Sequence, residues 1–152
     1  MSIENKDLYF VAVKVFLEHQ GKLFIFKDRF GDWDLPGGRI TKDEFDTPLE
    51  DIIRRKMKEE IGDNVTYSLG KPLVCMRHER IESAPGNPKV RIFAIGYPAV
   101  LESGEIQLSK QHSEMLWVDP SHFRPEEYFT GGWLKGVQEY LLLRLSEHPK
   151  TS

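Results

Sequence analysis

Two apolar runs near the start of the chain predict a pair of strands. The segment "LYFVAVKVFLEHQGKLFIFKDR" predicts two strands joined by a turn at His19 to Gly21. Val, Phe and Ile dominate both runs, so we expect at least one face of each strand to be buried. The next segment, "FGDWDLPGGR", predicts a loop with a short extended piece before a Pro-Gly-Gly turn.

The apolar spacing becomes helical after residue 47. Thr47 is the predicted N-cap, Pro48 the first helical residue, and Glu50 completes a capping box. Gly62 is a natural stop for the helix. The apolar residues at helical spacing form one face: Leu49, Ile52, Ile53, Met57 and Ile61.

The second half of the chain predicts further strands and a second helix. "VTYSLGKPLVCMRHERI" and "KVRIFAIGYPAV" predict strands with the loop "ESAPGNP" between them, and "MLWVDP" predicts a short strand that ends at Pro120. "GGWLKGVQEYLLLRLSEH" predicts an amphipathic helix. Its inward residues are expected to be Leu134, Val137, Tyr140, Leu141 and Leu145. Strands and helices mix without strict alternation, which predicts an α/β fold with a mixed sheet between helices.

Length and composition are those of one ordinary globular domain over residues 1–152. The net charge of -3 and the lack of a basic run argue against nucleic-acid binding. Cys75 is the only cysteine, so an internal disulfide is impossible, and its place in "PLVCMRH" predicts strand core. With no apolar run long enough for a membrane helix and no signal-peptide pattern, we expect a cytoplasmic protein with no membrane partner.

Charged residues interrupt the apolar face of the first helix. At 100° per residue, Lys56 and Glu60 fall inside the apolar arc, and Glu59 lies at its edge. Buried charges are costly without compensation. One interpretation is a salt bridge between Lys56 and Glu60, which are four residues apart. The other is a magnesium site that uses Glu59, Glu60 and Glu44 of the preceding loop, because magnesium prefers oxygen ligands.

The wider pattern favours the metal. "PGG", five residues, Glu, and then a helix that ends "R-x-x-x-EE-x-G" resembles the signature of the Nudix hydrolases. The matching residues are Gly38, Glu44, Arg55, Met57, Glu59, Glu60 and Gly62. The resemblance implies an α/β/α sandwich around a mixed sheet. It also implies hydrolysis of a small nucleotide, a nucleoside diphosphate linked to another group, with Mg²⁺ or Mn²⁺ as cofactor. The resemblance also allows a homodimer, because dimers are frequent in this family, but the sequence itself does not give the oligomeric state.

Two departures from the signature bear on the site. Ten residues separate Glu44 from Arg55, three more than in the signature. The Glu that should follow Arg55 is replaced by Lys56, which cannot ligate magnesium as a cation and would repel it.

One branch of the family also lacks that Glu. "PGGRITKDE" and "KQHSEMLWV" are similar to segments of the GDP-mannose mannosyl hydrolases. This similarity implies that His112 is the general base and that Arg29 and Arg39 contact the diphosphate. The metal ligands that the two resemblances imply are Gly37, Glu44, Glu59, Glu60 and Gln111. Glu60 is counted with His112 among the catalytic residues.

Several functional alternatives stay open. Water can attack the sugar carbon or the phosphorus, and the sequence does not choose. A Nudix-like binding module that has lost catalysis is the main competing class, because Lys56 can replace the metal charge. A prenyl diphosphate isomerase is disfavoured by the lack of a reactive cysteine in a suitable loop, and RNA decapping by the acidic balance. The aromatic residues that can stack a base or sugar are Phe30, Trp33, Tyr128, Phe129 and Trp133. Trp117 is expected in the core.

Overall fold

The computed structural model describes residues 2–147, which form one mixed sheet and two α-helices. The strands are β1 (Phe10–His19), β2 (Lys22–Asp28), β3 (Trp33–Asp34), β4 (Gly37–Arg39), β5 (Val65–Leu69), β6 (Val74–Ile81), β7 (Lys89–Gly104) and β8 (His112–Val118). The α-helices are α1 (Leu49–Ile61) and α2 (Gly131–Glu147). Short 3₁₀ turns lie at Ile3–Asn5, Lys42–Glu44 and Pro125–Glu127. No helix in this part of the chain is both long and apolar enough to span a membrane.

Strand β1 lies at the centre of the sheet. It runs parallel to β7, with Ala12 opposite Ala94, and antiparallel to β2 and β4. Strands β5 and β6 add antiparallel to β7, and β3 and β8 add antiparallel to β2. Parallel neighbours need a long crossover connection. Here that connection carries α1, which is how the charged helix comes to lie against β4.

The two helices cover opposite faces of the sheet, so the predicted α/β/α sandwich is confirmed. Side chains alternate along β1 because successive residues of a strand point to opposite faces. Val13 and Val15 pack with α1, whereas Ala12 and Phe16 pack with α2. The predicted inward residues of α1 are buried against the first of these faces: Ile52, Ile53, Met57 and Ile61.

The start of α1 differs from its prediction. Pro48, not Thr47, is the N-cap, because its ψ of 140° is extended and its carbonyl accepts the first helical hydrogen bonds. The predicted capping box at Thr47 and Glu50 is therefore wrong. A capping box forms instead in the preceding 3₁₀ turn, between Thr41 and Glu44. This turn precedes the three-residue insertion and fixes the Glu44 side chain, whose Oε1 accepts from the N–H and the hydroxyl of Thr41.

Two side chains predicted to point inward lie at the surface. Cys75 is exposed, because its neighbours Val74 and Met76 take the covered side of β6. Leu145 is 51% exposed. In the last described turns of α2 the inward direction is taken by Arg144, whose guanidinium lies 2.9 Å from the carboxylate of Glu18.

Candidate active site

A cleft of about 520 Å³ opens where the last turn of α1 meets the start of β8. Four predicted site residues line this cleft: Arg29, Glu60, Gln111 and His112. His112 is the first residue of β8, three residues before the strand predicted from the sequence. The structure thus brings the end of the helix motif and the Gln-His pair together, although 50 residues separate them in the chain.

The carboxylate of Glu60 is held by a glycine and a histidine. Its Oε1 accepts the N–H of Gly37 at 2.7 Å, and its Oε2 lies 3.4 Å from Nε2 of His112. Gly37 has a φ of 140°, and a Cβ there would lie 1.9 Å from the carbonyl oxygen of Val13. The first glycine of the motif is therefore required by the close approach of β4 to β1, and this approach aims its N–H at Glu60.

Burial disfavours the charged form of both members of the Glu60–His112 pair, so it shifts their pKa values in opposite directions. Burial raises the pKa of Glu60 to about 7, although the nearby ammonium of Lys14 acts in the opposite direction. Burial also lowers the pKa of His112, whose ring stacks on Phe26 with centroids 3.7 Å apart. At neutral pH the imidazole is neutral, and the carboxyl lies near the midpoint of its titration.

The other side chains of the helix motif form a separate ion-pair chain. Arg55 binds Glu44 at 2.7 Å and Glu59 at 2.9 Å, and Lys56 Nζ lies 3.9 Å from Glu59. The backbone N–H of Thr41 and the Arg55 guanidinium lower the pKa of Glu44 to about 2. The salt bridge between Lys56 and Glu60, which was one interpretation of the sequence, does not form. Among residues 2–147 the ion-pair partner of Lys56 is Glu59.

The two arginines predicted to bind diphosphate lie in different surroundings. Arg29 lines the cleft, with its guanidinium over the ring of Phe30. Arg39 instead pairs with Glu82 at 2.5 Å. Arg80 of β6, which the sequence reasoning missed, lines the cleft and lies 3.1 Å from the same carboxylate. Arg80 lies on the same side of β6 as Val74, Met76 and His78, and this period-two spacing is the signal that would have singled it out.

A buried lysine is the second residue that sequence reasoning did not place. Lys14 is 7% exposed, and its Nζ donates to the Asp34 carboxylate at 2.8 Å and to the carbonyl of Leu35 at 3.2 Å. It also lies 5.4 Å above the ring of Trp133. Asp34 lines the cleft, so this ion pair connects the central strand to the candidate site.

An aromatic cleft of about 570 Å³ adjoins the first one and shares Asp34 with it. Trp33, Tyr128 and Trp133 line it, and the rings of Trp33 and Tyr128 meet edge to face at 5.4 Å. Phe129 also lines this cleft but is only 3% exposed and belongs mainly to the core, and Phe30 lines the first cleft. Of the five predicted stacking residues, Trp33, Tyr128 and Trp133 are therefore the ones with partly exposed rings in the aromatic cleft. Trp117 packs against the core, as predicted.

No family model matches the chain. Nucleoside triphosphatase NudI of Escherichia fergusonii is 27% identical over 92 residues, which are 59% of this chain and 63% of NudI. The chain thus spans less than two thirds of the length of that curated relative.

Solved structures match nearly the whole chain. The Nudix hydrolase from Nitrosomonas europaea has a TM-score of 0.68 at 14% identity, covering 97% of this chain and 77% of that one. The fold is that of the Nudix hydrolases. The MutT protein from Methanosarcina mazei Go1 has a TM-score of 0.68 at 21% identity, covering 94% and 96% of the two chains. The dihydroneopterin triphosphate pyrophosphohydrolase of E. coli has a TM-score of 0.67 at 16% identity, covering 90% and 99%. The similarity to NudI and these matches together support the Nudix family.

The Nudix resemblance implies a divalent ion, and the side chains do not fit one as they lie. Glu60 lines the cleft, whereas Glu44 and Glu59 are both bound to Arg55. Within residues 2–147, no three His, Cys, Asp or Glu side chains are grouped so as to hold a metal ion. Lys14 and Lys56 both place positive charge near Glu60. Magnesium or manganese binding by Gly37, Gln111 and the three carboxylates stays a prediction of the resemblance.

Proposed function

We propose that this protein hydrolyses a nucleoside diphosphate linked to another group, with a nucleotide sugar similar to GDP-mannose as the leading substrate class. The observation that carries the proposal is the buried Glu60–His112 pair, with its carboxylate fixed at 2.7 Å by the N–H of Gly37 inside a cleft. A carboxyl whose pKa lies near 7 is well matched to proton transfer at neutral pH.

The rest of the cleft suits the two ends of such a substrate. Arg29 and Arg80 line the wall next to Glu60, and guanidinium groups make paired hydrogen bonds to phosphate oxygens. The adjoining cleft, with Trp33, Tyr128 and Trp133, offers ring faces to a base or sugar. The diphosphate would thus lie over Glu60 and the attached ring in the aromatic cleft.

The attacking water would lose its proton to the Glu60–His112 pair. Nδ1 of His112 is hydrogen-bonded with Ser109 Oγ at 2.9 Å, and Nε2 lies 3.4 Å from the Glu60 carboxylate. The tautomer with the proton on Nε2 would direct this N–H toward ionised Glu60 and leave Nδ1 to accept from the Ser109 hydroxyl. In this arrangement Glu60 takes the proton, rather than His112 as the resemblance implies, and His112 positions the Glu60 carboxylate. Attack on the sugar carbon releases a nucleoside diphosphate, and attack on phosphorus releases a nucleoside monophosphate.

A Nudix-like binding module without catalysis is the second candidate. The observation that favours it is the pairing of Glu44 and Glu59 with Arg55, which occupies two of the carboxylates that the resemblance assigns to metal. Lys56 stands where the signature has a further carboxylate. A protein with this arrangement can bind a diphosphate by its positive groups and leave it uncleaved.

Product analysis distinguishes the hydrolase from the binding module. The protein is incubated with nucleotide sugars, ADP-ribose, dinucleoside polyphosphates and nucleoside triphosphates, in Mg²⁺, in Mn²⁺ and in EDTA, and the products are separated by chromatography. Release of a nucleoside diphosphate and free sugar supports the leading substrate class. Binding of one compound with no product in any buffer supports the binding module. Homodimerisation and a cytoplasmic location remain predictions, the first open to light scattering.

A further inference from the structure

Four charged side chains around α1 form a chain of alternating sign. Glu44 binds Arg55, Arg55 binds Glu59, and Glu59 lies next to Lys56, at 2.7, 2.9 and 3.9 Å. Two carboxylates and two cations leave no net charge in this set. This ion-pair chain therefore neutralises Glu44 and Glu59, two of the three carboxylates that the Nudix resemblance assigns to metal. Of those three, only Glu60 lines the cleft, together with Asp28, Asp32, Asp34 and Glu82, which the resemblance does not assign to metal.

Lys56 has a confined position one helical turn before Glu60. Its side chain is 22% exposed and lies against Gly38 of β4. A Cβ at Gly38 would lie 2.8 Å from Cε and 3.0 Å from Nζ of Lys56. The two adjacent glycines of β4 thus accommodate neighbouring groups of α1: Gly37 binds the Glu60 carboxylate, and Gly38 leaves room for the Lys56 ammonium.

The positive charge acts directly on the candidate site. The ammonium groups of Lys14 and Lys56 both favour the ionised form of Glu60 and so oppose the rise of its pKa that burial causes. A divalent cation at Glu60 would be repelled by both ammonium groups, because charges of the same sign repel one another most strongly in a partly buried site. An anionic diphosphate would be attracted by the same groups.

We propose that Lys56 takes the place of a divalent ion in this cleft. Its ammonium supplies the positive charge beside Glu60 that a diphosphate requires, so the site binds diphosphate without metal and excludes Mg²⁺ and Mn²⁺ when it is empty. The choice of a diphosphate as ligand rests on the proposed function. The exclusion of metal rests on the ion-pair chain and on the confined position of Lys56.

The first test measures Mn²⁺ binding to the full chain without nucleotide, from the paramagnetic resonance signal of the free ion. Lys56→Glu restores a carboxylate beside Glu59 and Glu60 and is expected to bind Mn²⁺ about tenfold or more tightly than the wild type. The control, Lys58→Glu, makes the same charge change on the exposed side of α1 and should stay within about twofold of the wild type, because exposed charges are screened. Equal Mn²⁺ affinity of the wild type and Lys56→Glu would overturn the proposal.

The second test measures inorganic pyrophosphate binding by calorimetry in EDTA. The wild type should bind, and Lys56→Gln should weaken binding about tenfold or more, because a charge-assisted hydrogen bond is lost. Lys58→Gln is the matched control and should leave the affinity unchanged. No wild-type binding in EDTA, or equal affinity of Lys56→Gln, would overturn the proposal. Thermal unfolding first confirms that each variant folds. If Lys56→Glu does not fold, the pyrophosphate affinity of Lys56→Gln alone tests the proposal.

These readouts separate the inference from the proposed function, since neither needs turnover. If the protein binds pyrophosphate in EDTA but forms no product from any nucleotide, the result contradicts hydrolysis and still supports metal-free diphosphate binding through Lys56. Turnover that requires Mg²⁺ and is unaffected in Lys56→Gln would support the hydrolase and overturn the role of Lys56.

Discussion

Gly37 is the residue at which fold and site depend on the same atoms, so Gly37→Ala tests both. The residue is buried in β4, with a φ of 140°, and pairs with Lys14 across the sheet. The added Cβ would lie 1.9 Å from the carbonyl oxygen of Val13 and 2.9 Å from the Cα of Lys14. Both atoms are backbone atoms of the central strand, so no side-chain rotation relieves the contact.

The expected cost has two parts. A non-glycine residue in this backbone region costs about 1–3 kcal/mol. Moving β4 away from β1 also weakens the 2.7 Å hydrogen bond from Gly37 to Glu60, and bonds to charged groups are worth about 1.5–3 kcal/mol. The sum is a loss of about 2.5–6 kcal/mol in the free energy of unfolding. For a chain of this length that lowers Tm by about 5–24 °C.

The measurement is urea unfolding followed by circular dichroism, with Gly86→Ala as the control. Gly86 also has a positive φ, of 81°, but a Cβ there meets no atom within 4 Å. Its substitution therefore reports backbone strain alone, about 1–2 kcal/mol. If Gly37→Ala proves no more than about 1 kcal/mol less stable than Gly86→Ala, the steric argument is refuted.

Three other outcomes are expected. His112→Ala lowers kcat about 10²–10⁴-fold on whichever nucleotide is turned over, as measured by product release, and full turnover would remove His112 from the scheme. Glu44 has a folded pKa of about 2 against 4.5 ordinarily, so its stabilisation is present above pH 4.5 and lost as the pH falls toward 2. The Tm gap between wild type and Glu44→Gln should therefore close on acidification, and a gap independent of pH contradicts this. Ile53→Ala, at a site with 0% exposure, costs about 2–5 kcal/mol in urea unfolding, and a loss below about 1 kcal/mol contradicts that core position.

The sheet and the helix faces could be predicted because they follow from local periodicity. The apolar residues Ile52, Ile53, Met57 and Ile61 recur at helical spacing, and each is at most 1% exposed. A buried face imposes this spacing whatever lies opposite it, so the pattern can be read without knowing the partner. The strand pair was predicted for the same reason. Gly37 and Gly38, which were predicted to form a turn, instead lie in strand β4.

Charge partners could not be predicted from the sequence. The helical projection places Lys56 and Glu60 on one face, yet the lysine pairs with Glu59, because Glu60 is taken by Gly37 and His112. Those two competitors come from distant parts of the chain. A helical projection gives the direction of a side chain, but it does not show which group from another part of the chain contacts that side chain.

The exposure of Cys75 has a related cause. The segment "PLVCM" is continuously apolar and so predicts burial on both sides, but β6 buries only the side that carries Val74 and Met76. Which side of a strand is covered depends on the position of the strand in the sheet and on the helix above it. Neither follows from one segment alone.

Gly37 of β4 and the carboxylates of α1 are subject to different physical constraints. Gly37 is required by a steric contact with the backbone of β1, so any chain with this strand arrangement must keep it. The carboxylates are constrained only by charge, and charge can be balanced by a lysine or an arginine as well as by an ion. The fold that this chain shares with the Nudix hydrolases is therefore compatible with a helix in which Lys56 and Arg55 compensate the charge of Glu59. For that reason the motif identifies the fold more securely than the cofactor, and the affinity of Lys56→Glu for Mn²⁺ is the measurement that tells the two apart.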